Sequence, residues 1–172
     1  AGFDQALGHR AAHHAEAEIA TLALAGELEP GPATFHARFT GELNDKLVGF
    51  YRSTYTADDG ALRTIACTQF ESTHARRAFP CWDEPAFKAT YAITLDVADD
   101  LLAVSNAAEV DRQPLSDGRV RVRFATTMLM STYLVAFVVG PLEQRAVVGQ
   151  GHRDAHHHLV PGRACEVRPE GE

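Results

Sequence analysis

Gln69 and Glu71 stand two residues apart at the end of a run, residues 63–70, that reads as a strand, so their side chains leave the same face. A carboxylate and a neutral carboxamide on one face can accept hydrogen bonds from a single cationic donor. The carboxylate supplies charge, and the carboxamide oxygen adds an acceptor without a second desolvated charge. Standing alone, the same pair also reads as ordinary polar surface closing a strand. The residues by themselves leave both readings open.

A second charged group follows in ARRAFPCWDEP, residues 75–85. Arg76 and Arg77 beside Asp83 and Glu84 have the types of a catalytic or phosphate-binding cluster. However, Phe79 and Trp82 carry large apolar area, and Pro80 and Pro85 fix the backbone. The charges are therefore expected to satisfy one another and the backbone amides of the loop. Such a loop supports Gln69 and Glu71 and does not react.

The nine histidines raise the question of a metal. Zinc needs four ligands, or three and a water, in tetrahedral geometry. Adjacent residues such as His13 and His14, or His156, His157 and His158, do not deliver that from one rigid element, so no metal site is expected. His74 lies close to Glu71, but no Ser, Asp or metal partner is implied, and it is expected to face solvent. The chain has no GxSxG, no phosphate-binding GxxxxGK[ST] and no GxGxxG.

The elements that must position these residues show a period of two, the signature of half-buried strands. Val120, Val122 and Phe124 alternate with Arg119, Arg121 and Arg123, and Tyr91, Ile93, Leu95 and Val97 alternate with Ala92, Thr94 and Asp96. Phe35, Ala37 and Phe39 alternate in the same way. Residues 133–139 are apolar throughout, as in a strand covered on both faces. Asp58-Asp59-Gly60 and Ser116-Asp117-Gly118 read as hairpin tips, and Glu29-Pro30-Gly31-Pro32 as a break after a strand near residues 19–24. Only residues 72–78 lean towards helix, and Pro80 and Pro85 limit it. The pattern predicts an all-β, antiparallel sandwich or curved open sheet. Residues 1–18 form a poorly defined lead, residues 19–148 the β-domain, and residues 149–172 a divergent or disordered tail.

The chain of 172 residues is long enough for one domain with a real core, and its 45% hydrophobic and 23% charged residues are ordinary for a globular protein. A net charge of −7 argues against nucleic acid, which needs clustered Lys and Arg, and suits cationic ligands such as peptide ammonium groups. Three cysteines, an odd number without a CxxC pair, fit free thiols in a reducing compartment. With no signal-peptide pattern and no apolar run long enough to span a bilayer, the expected location is cytoplasmic, without membrane.

Three stretches carry a resemblance. They are TQFESTHARRAFPCWDEPAFKATYAITLDV at residues 68–97, GELNDKLVGFYRSTY at 41–55 and MSTYLVAFVVGPLE at 130–143. In this order they closely resemble the N-terminal domain of the zinc aminopeptidases of the aminopeptidase N and puromycin-sensitive type. The resemblance implies a saddle-shaped all-β fold, incomplete here because family members carry earlier strands. It implies that Gln69 and Glu71 bind the substrate amine, that the Glu71–Ser72 peptide is cis, and that peptide N-termini and the catalytic domain are the partners. Family members carry HExxH and a GAMEN-like motif in the following domain. Here no His is followed by Glu, so the expectation is a non-catalytic, substrate-recognising domain with zinc in the parent and no cofactor of its own. The alternatives are a scaffold, like the non-enzymatic relative in the general transcription machinery, or a peptide-binding module of the same fold.

Overall fold

Alternating sequence becomes ladder wherever a partner strand is at hand. In the computed structural model, described for residues 2–3, 10–14, 16–23, 26, 30–148 and 155–161, the strands in chain order are β1 (Gly2–Phe3), β2 (Arg10–His14), β3 (Ile19–Ala23), β4 (Phe39–Thr40), β5 (Gly49–Thr56), β6 (Leu62–Gln69), β7 (Lys88–Ala89), β8 (Thr94–Ala98), β9 (Leu102–Ser105), β10 (Glu109–Pro114), β11 (Arg119–Phe124), β12 (Met130–Ser131), β13 (Phe137–Gly140), β14 (Leu142–Val148) and β15 (Ala155–Pro161). Two short 3₁₀ turns, Ala75–Arg77 and Thr132–Leu134, are the only helical elements among the described residues. The fold is all-β, and every strand pair is antiparallel.

Two sheets form the body: a four-stranded sheet in the order β5-β6-β13-β9 and a three-stranded sheet in the order β10-β11-β8. They are held face to face by one apolar cluster. Val97, Val120, Val122 and Phe124 come from the three-stranded sheet, and Ala103 and Val139 from the four-stranded one. Along β11 the three arginines are exposed and Val120, Val122 and Phe124 are buried, as the period of two predicts. A second cluster, Phe70, Ala75, Met130 and Val135, lies under the segment that follows β6. Ile93 packs against both.

The expected hairpin tips are present. At the β5–β6 tip, Asp59 Oδ1 accepts the Ala61 N–H at 2.9 Å, and at the β10–β11 tip Asp117 Oδ1 accepts the Arg119 N–H at 3.3 Å. Gly60 (φ 80°) and Gly118 (φ 75°) supply the left-handed residue of each turn. β2 pairs with β3, and β14 with β15, the latter from Leu142↔Pro161 to Val148↔Ala155.

Two strand expectations are corrected. Residues 35–38 belong to no strand, and only Phe39–Thr40 forms a ladder, with β1; alternation marks two faces but does not provide a partner. Residues 133–139 are not one continuous strand. A 3₁₀ turn occupies Thr132–Leu134, and β13 begins only at Phe137. Side-chain anchors impose that break. Tyr91 Oη donates to Thr132 Oγ1 at 2.7 Å, which donates to the Trp82 carbonyl at 2.9 Å.

Candidate functional site

Gln69 is the last residue of β6, and Glu71 follows two residues after it. Phe70 between them is 2% exposed. Its ring meets Phe79 edge-on at 5.8 Å and Phe137 at 6.3 Å. Because Phe70 is drawn into the core, its two neighbours turn outwards, and both are exposed. The chain then doubles back, with the His74 N–H donating to the Phe70 carbonyl at 2.8 Å. The Glu71–Ser72 peptide is cis, as the resemblance implies.

Both acceptors border a groove of about 370 Å³ lined by Thr68, Gln69, Phe70 and Glu71 on one side and Tyr133, Leu134, Val135 and Ala136 on the other. Neither side chain is engaged in a hydrogen bond or ion pair with another described residue. The groove thus offers one carboxylate and one carboxamide beside an apolar wall. That arrangement suits a cation carried on an apolar or peptide body. The sequence does not single out the Tyr133–Ala136 wall, because a continuously apolar run looks like covered strand; nothing local marks the 3₁₀ turn that opens it.

The loop after the groove behaves as a support. Asp83, with its side chain 2% exposed, accepts from the Arg76 Nε at 3.0 Å and from the Arg76 backbone N–H at 3.0 Å through one oxygen. Arg76 Nη2 also donates to the Asp83 carbonyl at 3.0 Å. Arg77 leans away, to Glu18 at 3.2 Å and to His74 Nδ1 at 3.2 Å. His74 is therefore half-buried and held by an arginine, where solvent exposure was expected. Trp82 is 74% exposed, and its carbonyl ties the loop to Thr132. Phe79 is the aromatic that packs inward. Burial and the neighbouring Asp83 carboxylate push the Cys81 thiol up to about 12.

A larger concavity of about 570 Å³ lies over Thr94, Asp96, Asp111, Gln113, Arg121 and Arg123. Its charges already answer one another, Arg121 to Asp96 at 2.7 Å and Arg123 to Asp111 at 3.6 Å, so it presents no uncommitted acceptor pair. Among the described residues no three His, Cys, Asp or Glu side chains are placed to hold a metal. The side chains of His13, His156, His157 and His158 lie outside the described residues, as does Cys165. No helix among the described residues is long and apolar enough to cross a membrane.

Comparison with known proteins agrees with the motifs. The chain is 45% identical over 146 residues to the puromycin-sensitive aminopeptidase of Caenorhabditis elegans, covering 84% of this chain and 15% of that protein. It is 45% identical over 139 residues to aminopeptidase M1-D of Oryza sativa subsp. japonica, covering 80% and 16%. It is 38% identical over 151 residues to human endoplasmic reticulum aminopeptidase 1, covering 88% and 16%. The chain thus spans only about a sixth of the length of these relatives. The model of the Peptidase M1 N-terminal domain matches residues 7–134, a span that contains strands β2 to β12, both acceptors and the loop behind them, and the chain belongs to that family.

Proposed function

We propose that this chain is the non-catalytic, substrate-amine-recognising domain of a zinc metalloaminopeptidase, acting in the cytoplasm. Gln69 and Glu71 receive the α-ammonium of a peptide N-terminus, and the wall at residues 133–136 bounds the space beside it. The observation that carries this reading is the pairing of an uncommitted carboxylate and carboxamide across one groove from an apolar wall. Charge selects the free amine, and the two acceptor types divide its three N–H donors without a second buried charge. Zinc belongs to the parent's catalytic domain, and the part of this chain is to hold the substrate amine. The two described cysteines are free thiols, which supports a reducing compartment.

The remainder of the parent is the other partner. Trp82, Phe87, Met128, Leu129 and Leu134 are exposed, and the β7–β12 ladder brings residues 82–89 beside residues 128–134. An exposed apolar face of this kind is suited to burial against another domain.

The test is a titration of the isotope-labelled chain with L-leucinamide and with N-acetyl-L-leucinamide, following the backbone amides of Gln69 and Glu71. Leucinamide is expected to shift them in the millimolar range and the acetylated compound to leave them unmoved. Equal response to both, or response elsewhere only, refutes the reading.

A further inference from the structure

β9 stops pairing with β13 at Ser105↔Phe137, and the backbone beyond it is irregular. The side chain of Asn106 continues the ladder. Its Nδ2 donates to the Leu134 carbonyl at 2.8 Å, and its Oδ1 accepts the Ala136 N–H at 2.7 Å. Ser105 Oγ donates to the Ala136 carbonyl at 2.8 Å. A carboxamide presents a donor and an acceptor side by side, so bonding to the two residues that flank Val135, whose backbone is extended (φ −62°, ψ 125°), reproduces what a neighbouring strand would do. On the other side of the segment, the Phe137 N–H goes to Thr68 Oγ1 at 3.2 Å, not to a β6 carbonyl. β6 and β13 are paired only at Val138↔Cys67 and Val139↔Ala66. Beyond those pairs they diverge, and the gap between them is the groove bordered by Gln69 and Glu71.

We infer that Asn106 is a positioning residue for the ammonium site. It is not among the residues that line the groove; it holds residues 134–136 from behind and so sets the distance between the apolar wall and the two acceptors. Without the bracket, the Leu134 carbonyl and Ala136 N–H lose their partners, and the segment is free to collapse onto β6 or swing into solvent. This inference rests on Gln69 and Glu71 being the ammonium acceptors.

The leucinamide titration of the full chain, repeated on variants, separates the two. Glu71→Gln is expected to abolish the shifts. Asn106→Ala is expected to raise the Kd tenfold or more. Asn106→Asp is isosteric but cannot donate to Leu134 when ionised; it is expected to weaken binding too, and it decides the matter if Asn106→Ala does not fold. Val120→Ala, a packing loss in the core under the three-stranded sheet, controls for general loss of stability and should leave the Kd within twofold. If both Asn106 variants bind within twofold of the unaltered chain while Glu71→Gln does not bind, the role of Asn106 is overturned and the acceptor assignment stands. The role of Asn106 is likewise overturned if Val120→Ala weakens binding as much as they do. If Glu71→Gln binds as tightly as the unaltered chain, both assignments fall together.

Discussion

At the scale of single residues, charge and burial decide what each substitution does. In a full-length enzyme carrying this domain, Glu71→Ala is expected to lower kcat/KM by a factor equivalent to about 2–5 kcal/mol, the cost of removing one partner of a desolvated charge pair. Gln69→Ala is expected to cost less, because a neutral acceptor contributes less than a charged one. Neither should change the bound zinc measured by elemental analysis, and zinc loss would move these residues to another role. Arg76 acts on stability, not on ligand. Its removal leaves the buried Asp83 carboxylate without its cation, so Arg76→Ala should cost about 3–5 kcal/mol in urea unfolding. Arg76→Lys should recover only part of that, since a point charge cannot make both side-chain contacts of the guanidinium. Cys81 is expected to be inert while folded. With its thiol pushed up to about 12, it carries almost no thiolate at pH 8. Iodoacetamide should label it only after denaturation, and rapid labelling of the folded chain would contradict its burial.

At the scale of elements, packing between strands and charge along them take over. A Cβ on Gly140 would stand 2.6 Å from Ile65 Cγ2, across the β6–β13 interface. Gly140→Ala should therefore destabilise by about 1–3 kcal/mol, as overpacking does. In the double variant with Ile65→Ala, the losses should be less than additive, because the second change removes the clashing methyl; strict additivity would mean the strands part instead. On the outer face of β11, Arg121 beside Asp96 and Arg119 beside Asp117 hold both aspartates below the ordinary carboxylate range. Arg112 does the same for Glu109 from β10. These groups bind protons more readily when unfolded, so their contribution is complete above about pH 4 and is lost as the pH falls below it. The melting temperature should decline in that window, and less so in Asp96→Asn. Because these carboxylates lie at the surface, high salt should blunt the decline.

At the scale of the whole molecule, what is exposed matters more than what is buried. Trp82, Phe87, Met128, Leu129 and Leu134 together leave an apolar surface open, and β5 and β10 lie at sheet edges. The isolated chain is expected to self-associate with rising concentration in light scattering. Trp82→Lys with Met128→Lys should suppress it, and a clean monomer at high concentration before any substitution would count against an unpartnered face. The purified chain should also fail to release chromophore from aminoacyl substrates with or without added zinc. Its sequence has no HExxH, and without such a motif no metal-activated water is supplied. Turnover that persists through removal of host aminopeptidases would overturn that expectation.

The sequence by itself determined the all-β class, the hairpin tips at Asp59-Gly60 and Asp117-Gly118, and the inward faces of β8 and β11. These follow from period and turn chemistry, which are local. It also marked Gln69 and Glu71, though their meaning came from the resemblance carried by three motifs and not from the pair alone. Only the tertiary structure decided that residues 133–136 form the opposite wall of the groove. An apolar run does not reveal whether it is covered on two faces or opened by a turn, and that turn depends on Tyr91 and Trp82, which lie some forty to fifty residues earlier. Asn106 escaped notice for the same reason. A carboxamide after a strand is ordinary until the fold brings Leu134 and Ala136 to its two ends. Composition and period report what a segment can do by itself, whereas the width of a groove between two diverging strands depends on hydrogen-bond partners far apart in the chain.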